Sequence, residues 1–211
     1  TDIVEGDSKE ERYYYTEEGL DNIVIKDNGT VNWNPMDETR DAYTAVKVVD
    51  NFSSASDLNM ELTRPFAKVR VVTTDITDIR KVGLEPTTAT VTYSQDMYYK
   101  YNAVADVKNE GVAEGAKAKS HTYTYAQTAT KYDDTTGEFT LFTDYIFVPA
   151  SGTAKFELTV KDKEGGEIKY NHFNTEISVE RNKLTTIKGD VLTTGGNIKV
   201  TVNNDLGEKE T

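Results

Sequence analysis

Apolar and polar residues alternate with a period of two through much of the second half of the chain. Phe139, Leu141, Thr143, Tyr145 and Phe147 alternate with Thr140, Phe142, Asp144, Ile146 and Val148. Phe156, Leu158 and Val160 alternate with Lys155, Glu157, Thr159 and Lys161, and Ile198, Val200 and Val202 with Lys199, Thr201 and Asn203. Such a pattern turns one face of a sheet to a core and the other to water. Pro149-Ala150-Ser151-Gly152, Gly165-Gly166, Gly189-Asp190 and Gly195-Gly196 fall between the runs, where tight turns need unusual or fixed φ values. The pattern predicts a compact antiparallel β domain.

The first half carries the same signal more weakly. Tyr13-Tyr14-Tyr15 and Leu20, Ile23, Val24 and Ile25 form a weak apolar segment, closed by the turn signal Asp27-Asn28-Gly29. Ala42, Ala45, Val46 and Val49 share one helical face, with Asp37 at the capping position and Glu38 at the positive end of the dipole, so a short helix is expected over 38–49. Arg64-Pro65 opens a strand over 66–74, with Ala67, Val69, Val71 and Thr73 inward and Lys68, Arg70 and Val72 outward. Ala89, Val91 and Tyr93 mark the inner face of a strand over 87–93; further strands are expected at 98–104 and from Tyr123 and Tyr125. The Gly-, Ala-, Glu- and Lys-rich stretch 108–119 has no apolar face and is read as a loop between lobes. The expected organisation is a β lobe over 1–110 and a β-sandwich over 111–211, the second of ordinary domain size.

Composition narrows the function. The formal net charge of −12 opposes binding to nucleic acid or to an anionic leaflet, both of which call for a basic face. With no cysteine there is no disulfide and no thiolate metal site. Thirteen tyrosines suit a pleated, half-solvated exterior.

Little in the chain carries reaction chemistry. His121 and His172 lack metal-ligand spacing, no G-x-S-x-G surrounds a serine, and Gly165-Gly166 lacks the Lys-Ser/Thr of a phosphate loop. The predicted site therefore contains no catalytic residue, no metal and no cofactor. Among 36 acidic residues some pair can always be matched to glycoside hydrolysis, so that match carries no weight. Asp133-Asp134 reads as a solvated turn, since the spaced ligands of a calcium loop are missing. Core packing and cross-strand pairing explain Trp33, Tyr98, Tyr99 and Tyr101 better than a sugar-stacking platform does, with Trp33, Tyr98 and Tyr99 as ligand-platform candidates. Asn28-Gly29-Thr30 and Asn51-Phe52-Ser53 match the short glycosylation pattern.

Four segments in order resemble the fimbrillin-like proteins of Bacteroides-type bacteria. They are Asp37–Tyr43, Leu62–Asp75 with its R-P-x-A-K core, Asp144–Pro149, and Val179–Asp190 with its R-N and T-x-I-x-G elements. The resemblance covers most of residues 13–203. It implies an all-β fold of two transthyretin-like β-sandwich lobes, the N-terminal one incomplete in this chain. It also implies an exported outer-membrane lipoprotein whose targeting segment and lipid anchor lie outside this sequence. The implied partners are other fimbrial subunits, a second copy, or a host protein or glycan. Subunits of that family join by strand exchange, which satisfies unpaired edge amides and an apolar groove together. Ile198, Val200 and Val202 are the strand-exchange candidates, since a donor needs apolar teeth at period two; the same run can instead close its own sandwich. A stand-alone glycan-binding module and a carboxylate-dependent hydrolase are the competing expectations.

Overall fold

In the computed structural model the described residues are 14–16, 18–25, 36, 38–49, 58–93, 97–98, 100–106, 117–118, 122–126, 132–133, 137–193 and 198–203. The chain is all-β with a single short α-helix among these residues. The strands are β1 Tyr14–Tyr15, β2 Ile23–Ile25, β3 Phe66–Thr73, β4 Thr88–Tyr93, β5 Met97–Tyr98, β6 Lys100–Tyr101 and β7 Lys117–Ala118. There follow β8 Thr122–Ala126, β9 Tyr132–Asp133, β10 Glu138–Phe147, β11 Ser151–Lys161, β12 Glu167–Glu180, β13 Leu184–Gly189 and β14 Lys199–Asn203.

Two sheets face each other. One runs β14-β13-β3-β10-β5-β7, with β9 also on β10; the other runs β12-β11-β4-β8. Alternation explains the second sheet well. Ala89, Val91 and Tyr93 of β4, and Ala154, Phe156, Leu158 and Val160 of β11, are all buried in the shared core. Their neighbours on the other face are partly or fully solvated. The first sheet supplies Ala67, Val69 and Val71 of β3 and Ile187 of β13 to the same core. Fully burying one such side chain is worth roughly 1.5–3 kcal/mol, so this interleaved core is what holds the fold together.

β10 departs from simple alternation. Its register slips between Thr140 and Phe142, and Phe139, Leu141, Phe142, Ile146 and Val148 all reach the sandwich core. A bulge of one residue reverses which side chains point inward. Past it, Tyr145 and Phe147 enter a second, smaller core with Ile23, Phe66, Tyr101 and Ala103. That core lies with the three-stranded sheet β1-β2-β6. β10 is thus covered on both faces, and so in part is β3, where Val72 is buried despite its outward expectation.

Three further expectations are corrected. The helix over 38–49 is absent: Glu38–Arg40 forms one 3₁₀ turn, and Thr44 pairs with Thr63 in an antiparallel bridge. Thr44, Val46, Val48 and Val49 are β-branched and lose rotamer freedom in a helix, and a short helix without a fully packed face does not form. The α-helix lies at Ile76–Lys81 (α1), with Ile76 and Ile79 buried and Arg80 and Lys81 at its negative end. The division at 110/111 cuts through the sheets, because β3 hydrogen-bonds both β10 and β13 while β4 pairs with β11. Finally, the β13–β3 pairing is parallel, against the antiparallel expectation; the other strand pairs are antiparallel among the described residues.

Candidate functional site

A cavity of about 260 Å³ opens over the second core, bounded by Tyr14, Leu20, Ile23, Tyr43, Phe66, Tyr101 and Phe147 among others. Its aromatic floor is a continuous stack. Phe66 and Phe147 lie 5.5 Å apart between centroids, Tyr101 stacks on Phe147 at 5.6 Å, and Tyr14 on Phe66 at 5.9 Å. Offset and edge arrangements of this kind suit the ring quadrupole. β1, β2, the 42–45 segment, the start of β3, β6 and the end of β10 all contribute to it.

Two ionic clusters fix the walls. Arg181, at the β12–β13 turn, donates Nη1 to Asp106 Oδ1 at 3.0 Å and Nη2 to the hydroxyl of Tyr101 at 2.9 Å. Its Nε donates to the carbonyl of Arg64 at 3.1 Å. Tyr101 in turn donates to Asp106 and meets Thr44 Oγ1 at 3.0 Å. Burial, then the hydrogen bond to Asp106, pushes the Tyr101 phenol above its usual range. In the second cluster, Arg40 donates to Asp144 at 2.8 Å inside the protein, and Tyr93 donates to the other carboxylate oxygen at 2.7 Å. Tyr93 comes from the opposite sheet, so this cluster ties the layers together.

At the rim, Arg64 grips Asp41 with two hydrogen bonds of 2.6 and 2.8 Å, and its guanidinium lies 4.5 Å from the Tyr43 ring centroid. The hydrogen bond from Arg64 to Asp41 raises the arginine further above its usual value. Lys68 and Tyr145 both donate to Glu38, at 2.7 and 2.6 Å. These charged groups bond to one another and to other groups of the chain, and among the described residues the cavity lining offers hydroxyls and rings but no carboxylate, imidazole or amine. A lining of this kind can hold an apolar group.

β14 forms the other feature. Among the described residues it is the last strand of its sheet, paired on one side with β13. Val200 lies opposite Ile187 and Val202 opposite Thr185. Opposed residues share a face. Ile187 is in the sandwich core and Thr185 donates its hydroxyl to the Ser178 carbonyl on β12, so this row looks toward the opposite sheet. Ile198 and Val200 nevertheless stay 40% and 48% exposed, with Val202 half-buried. Among the described residues, apolar teeth therefore stand beside a strand edge that no further strand pairs.

The other sequence candidates fare unevenly. Tyr98 is half-buried and packs against the second core. Trp33, Tyr99, His121, Asp134 and both glycosylation patterns lie outside the described residues. His172 lies on β12 and Asp133 on β9. No group of three or more His, Cys, Asp or Glu side chains able to hold a metal occurs among the described residues. Nor is any helix there long and apolar enough to cross a membrane. The cavity itself gave no sequence signal, because its walls come from segments more than a hundred residues apart.

Fold and site together define an all-β sandwich with a satellite sheet, an aromatic cavity and, among the described residues, β14 as the edge strand of its sheet. The chain belongs to DUF6562, a family of unknown function whose model matches residues 1–210. Comparison with curated proteins finds no match. Among solved structures it is similar to one described as a "putative cell adhesion protein" from Bacteroides uniformis ATCC 8492, with 14% identity and a TM-score of 0.42. The likeness covers 70% of this chain and 53% of that one, so the chain matches about half the length of that protein.

Proposed function

We propose that this protein is a non-catalytic cell-surface protein of the adhesin or fimbrial-subunit kind, and that it meets a partner by β-strand addition at β14. The observation that carries the reading is the edge itself: Ile198 and Val200 stand half-exposed in a row beside a strand with no neighbour on its far side among the described residues. A strand added there would pair its backbone with β14 and continue the apolar row toward β12, satisfying both needs of an open edge. Thr201 and Lys199 point to the outer face and leave the inner row to make the apolar contact. Export to the cell surface, attachment there through a lipid, and subunits or a second copy as partners complete the reading.

The test is a titration of the isotope-labelled chain with a peptide of the 197–203 sequence. Saturable shifts confined to the β14 amides and to the Ile198 and Val200 methyls are expected, and a Val200→Asp peptide should give none. Absence of any saturable shift at millimolar peptide contradicts strand addition.

A second reading is a stand-alone glycan-binding surface lipoprotein, and the aromatic cavity with its hydroxyl rim favours it. Tyr43, 47% exposed at that rim, would stack on a sugar ring. A glycan array showing saturable binding that is lost in Tyr43→Ala supports this reading; a blank array removes it.

A further inference from the structure

The cavity over the second core is walled by polar groups that already have partners within the chain. The hydroxyl of Tyr14 donates to the Arg40 carbonyl at 2.8 Å, and that of Tyr43 accepts from Arg64. Thr44 and Tyr101 share a hydrogen bond of 3.0 Å, and Tyr101 is held further by Asp106 and Arg181. Wall backbone is paired as well: the Leu20 carbonyl accepts from the Ala103 amide at 2.9 Å, and Thr44 exchanges two bonds with Thr63. Thr16 stands exposed at the rim, and among the described residues no charged side chain lines the space. An occupant rich in hydroxyls or charge would lose its water there without recovering the bonds; one made of carbon loses nothing.

Size and shape narrow the class. A cavity of about 150 Å³ takes one benzene ring. At about 260 Å³ this one has room for two fused rings, about ten heavy atoms by the same ratio. The rings of its floor lie nearly parallel, at 21° between Tyr14 and Phe66, 27° between Phe66 and Phe147 and 18° between Phe147 and Tyr101. A flat aromatic molecule meets such a stack with a face or an edge, and both suit the ring quadrupole. Because Arg181 and Asp106 brace Tyr101, that wall is fixed before anything binds.

We propose that this cavity binds a small, uncharged aromatic molecule of one or two rings. A free molecule fits it better than a partner's side chain does, since the paired backbone at Leu20 and Thr44 offers a peptide nothing to extend along. Neither the β14 edge nor a sugar stacked on Tyr43 at the rim takes part, so the assignment is tested separately from both readings of function.

The test is a titration of the methyl-labelled 211-residue chain with indole, followed at Ala42, Ala45 and Ala103, which line the cavity. Saturable shifts with a Kd of roughly 0.1–1 mM are expected, the range that a ligand of about nine heavy atoms reaches. The Ile198 and Val200 methyls on β14 should not move. Indole-3-acetate, which adds a charge, and methyl glucoside, which brings hydroxyls, should each bind about tenfold more weakly or worse. Ala42→Leu and Ala45→Leu add carbon to the space from half-buried positions. At least one of them should weaken indole binding about tenfold with an unchanged melting curve. The proposal is overturned by the absence of a saturable shift up to about 5 mM indole, by equal affinity for either polar probe, or by full affinity in both variants. N-acetyltryptophanamide binding about tenfold more tightly than indole would give the cavity to a partner's side chain, and overturns it too.

Discussion

Arg181 and Asp106 form a buried ion pair across 75 residues of chain, their side chains 4% and 2% exposed. The pair joins the β12–β13 turn to the segment after β6, and through Tyr101 and the Arg64 carbonyl it reaches the cavity wall and the start of β3. Breaking such a pair from one side leaves an uncompensated charge in the interior. Asp106→Asn and Arg181→Met should each cost about 3–5 kcal/mol of stability, read from urea denaturation. Tyr101→Phe removes only a hydroxyl and should cost about 1–2 kcal/mol. A loss below about 1 kcal/mol for Arg181→Met contradicts this role.

Alkaline pH should test the two buried phenols. Burial, then a hydrogen bond to Glu38, raises the Tyr145 phenol; burial and Asp106 raise Tyr101. A group whose folded value is raised contributes stability that is whole below its unfolded value and lost above it. Stability is therefore expected to hold to near pH 10, the ordinary tyrosine value, and to fall above it. Ultraviolet titration should show these two tyrosines ionising only as the fold is lost. In Tyr145→Phe the decline with pH should be shallower.

Asn182 has φ of 58°, the left-handed region, in the turn after Arg181. Its amide donates to the Phe66 carbonyl at 2.7 Å, so the turn conformation is tied to the start of β3. Asn182→Gly should leave the melting temperature nearly unchanged, while Asn182→Val should cost about 2 kcal/mol or more. Equal effects of the two would remove the conformational explanation.

These contacts show which features the sequence could reveal. Alternation in β4 and β11 was legible because one face of each strand meets the core and the other meets water. β10 was not, since its bulge changes the phase and both its faces are covered. The Ala42–Val49 spacing mimics a helix although its β-branched residues favour extended chain, while the real helix, Ile76–Lys81, has only Ile76 and Ile79 buried and is too short to show a periodic pattern. The R-P-x-A-K and R-N segments were legible as a pattern without their roles. Arg64 stacks on Tyr43, Pro65 lines the cavity, Lys68 pairs with Glu38, and Arg181 holds Asp106. Partners separated by 75 or 104 residues leave no local trace, which is why neither the ionic clusters nor the cavity was foreseen.

Strand addition requires that the outer side of β14 be bare, and residue-resolved amide hydrogen exchange reads this directly. Along Lys199–Asn203 the account predicts alternation: amides directed at β13 protected, and those between them exchanging at nearly the rate of an unstructured peptide. Uniform protection along the strand would mean that its far side is already covered, and would contradict the account.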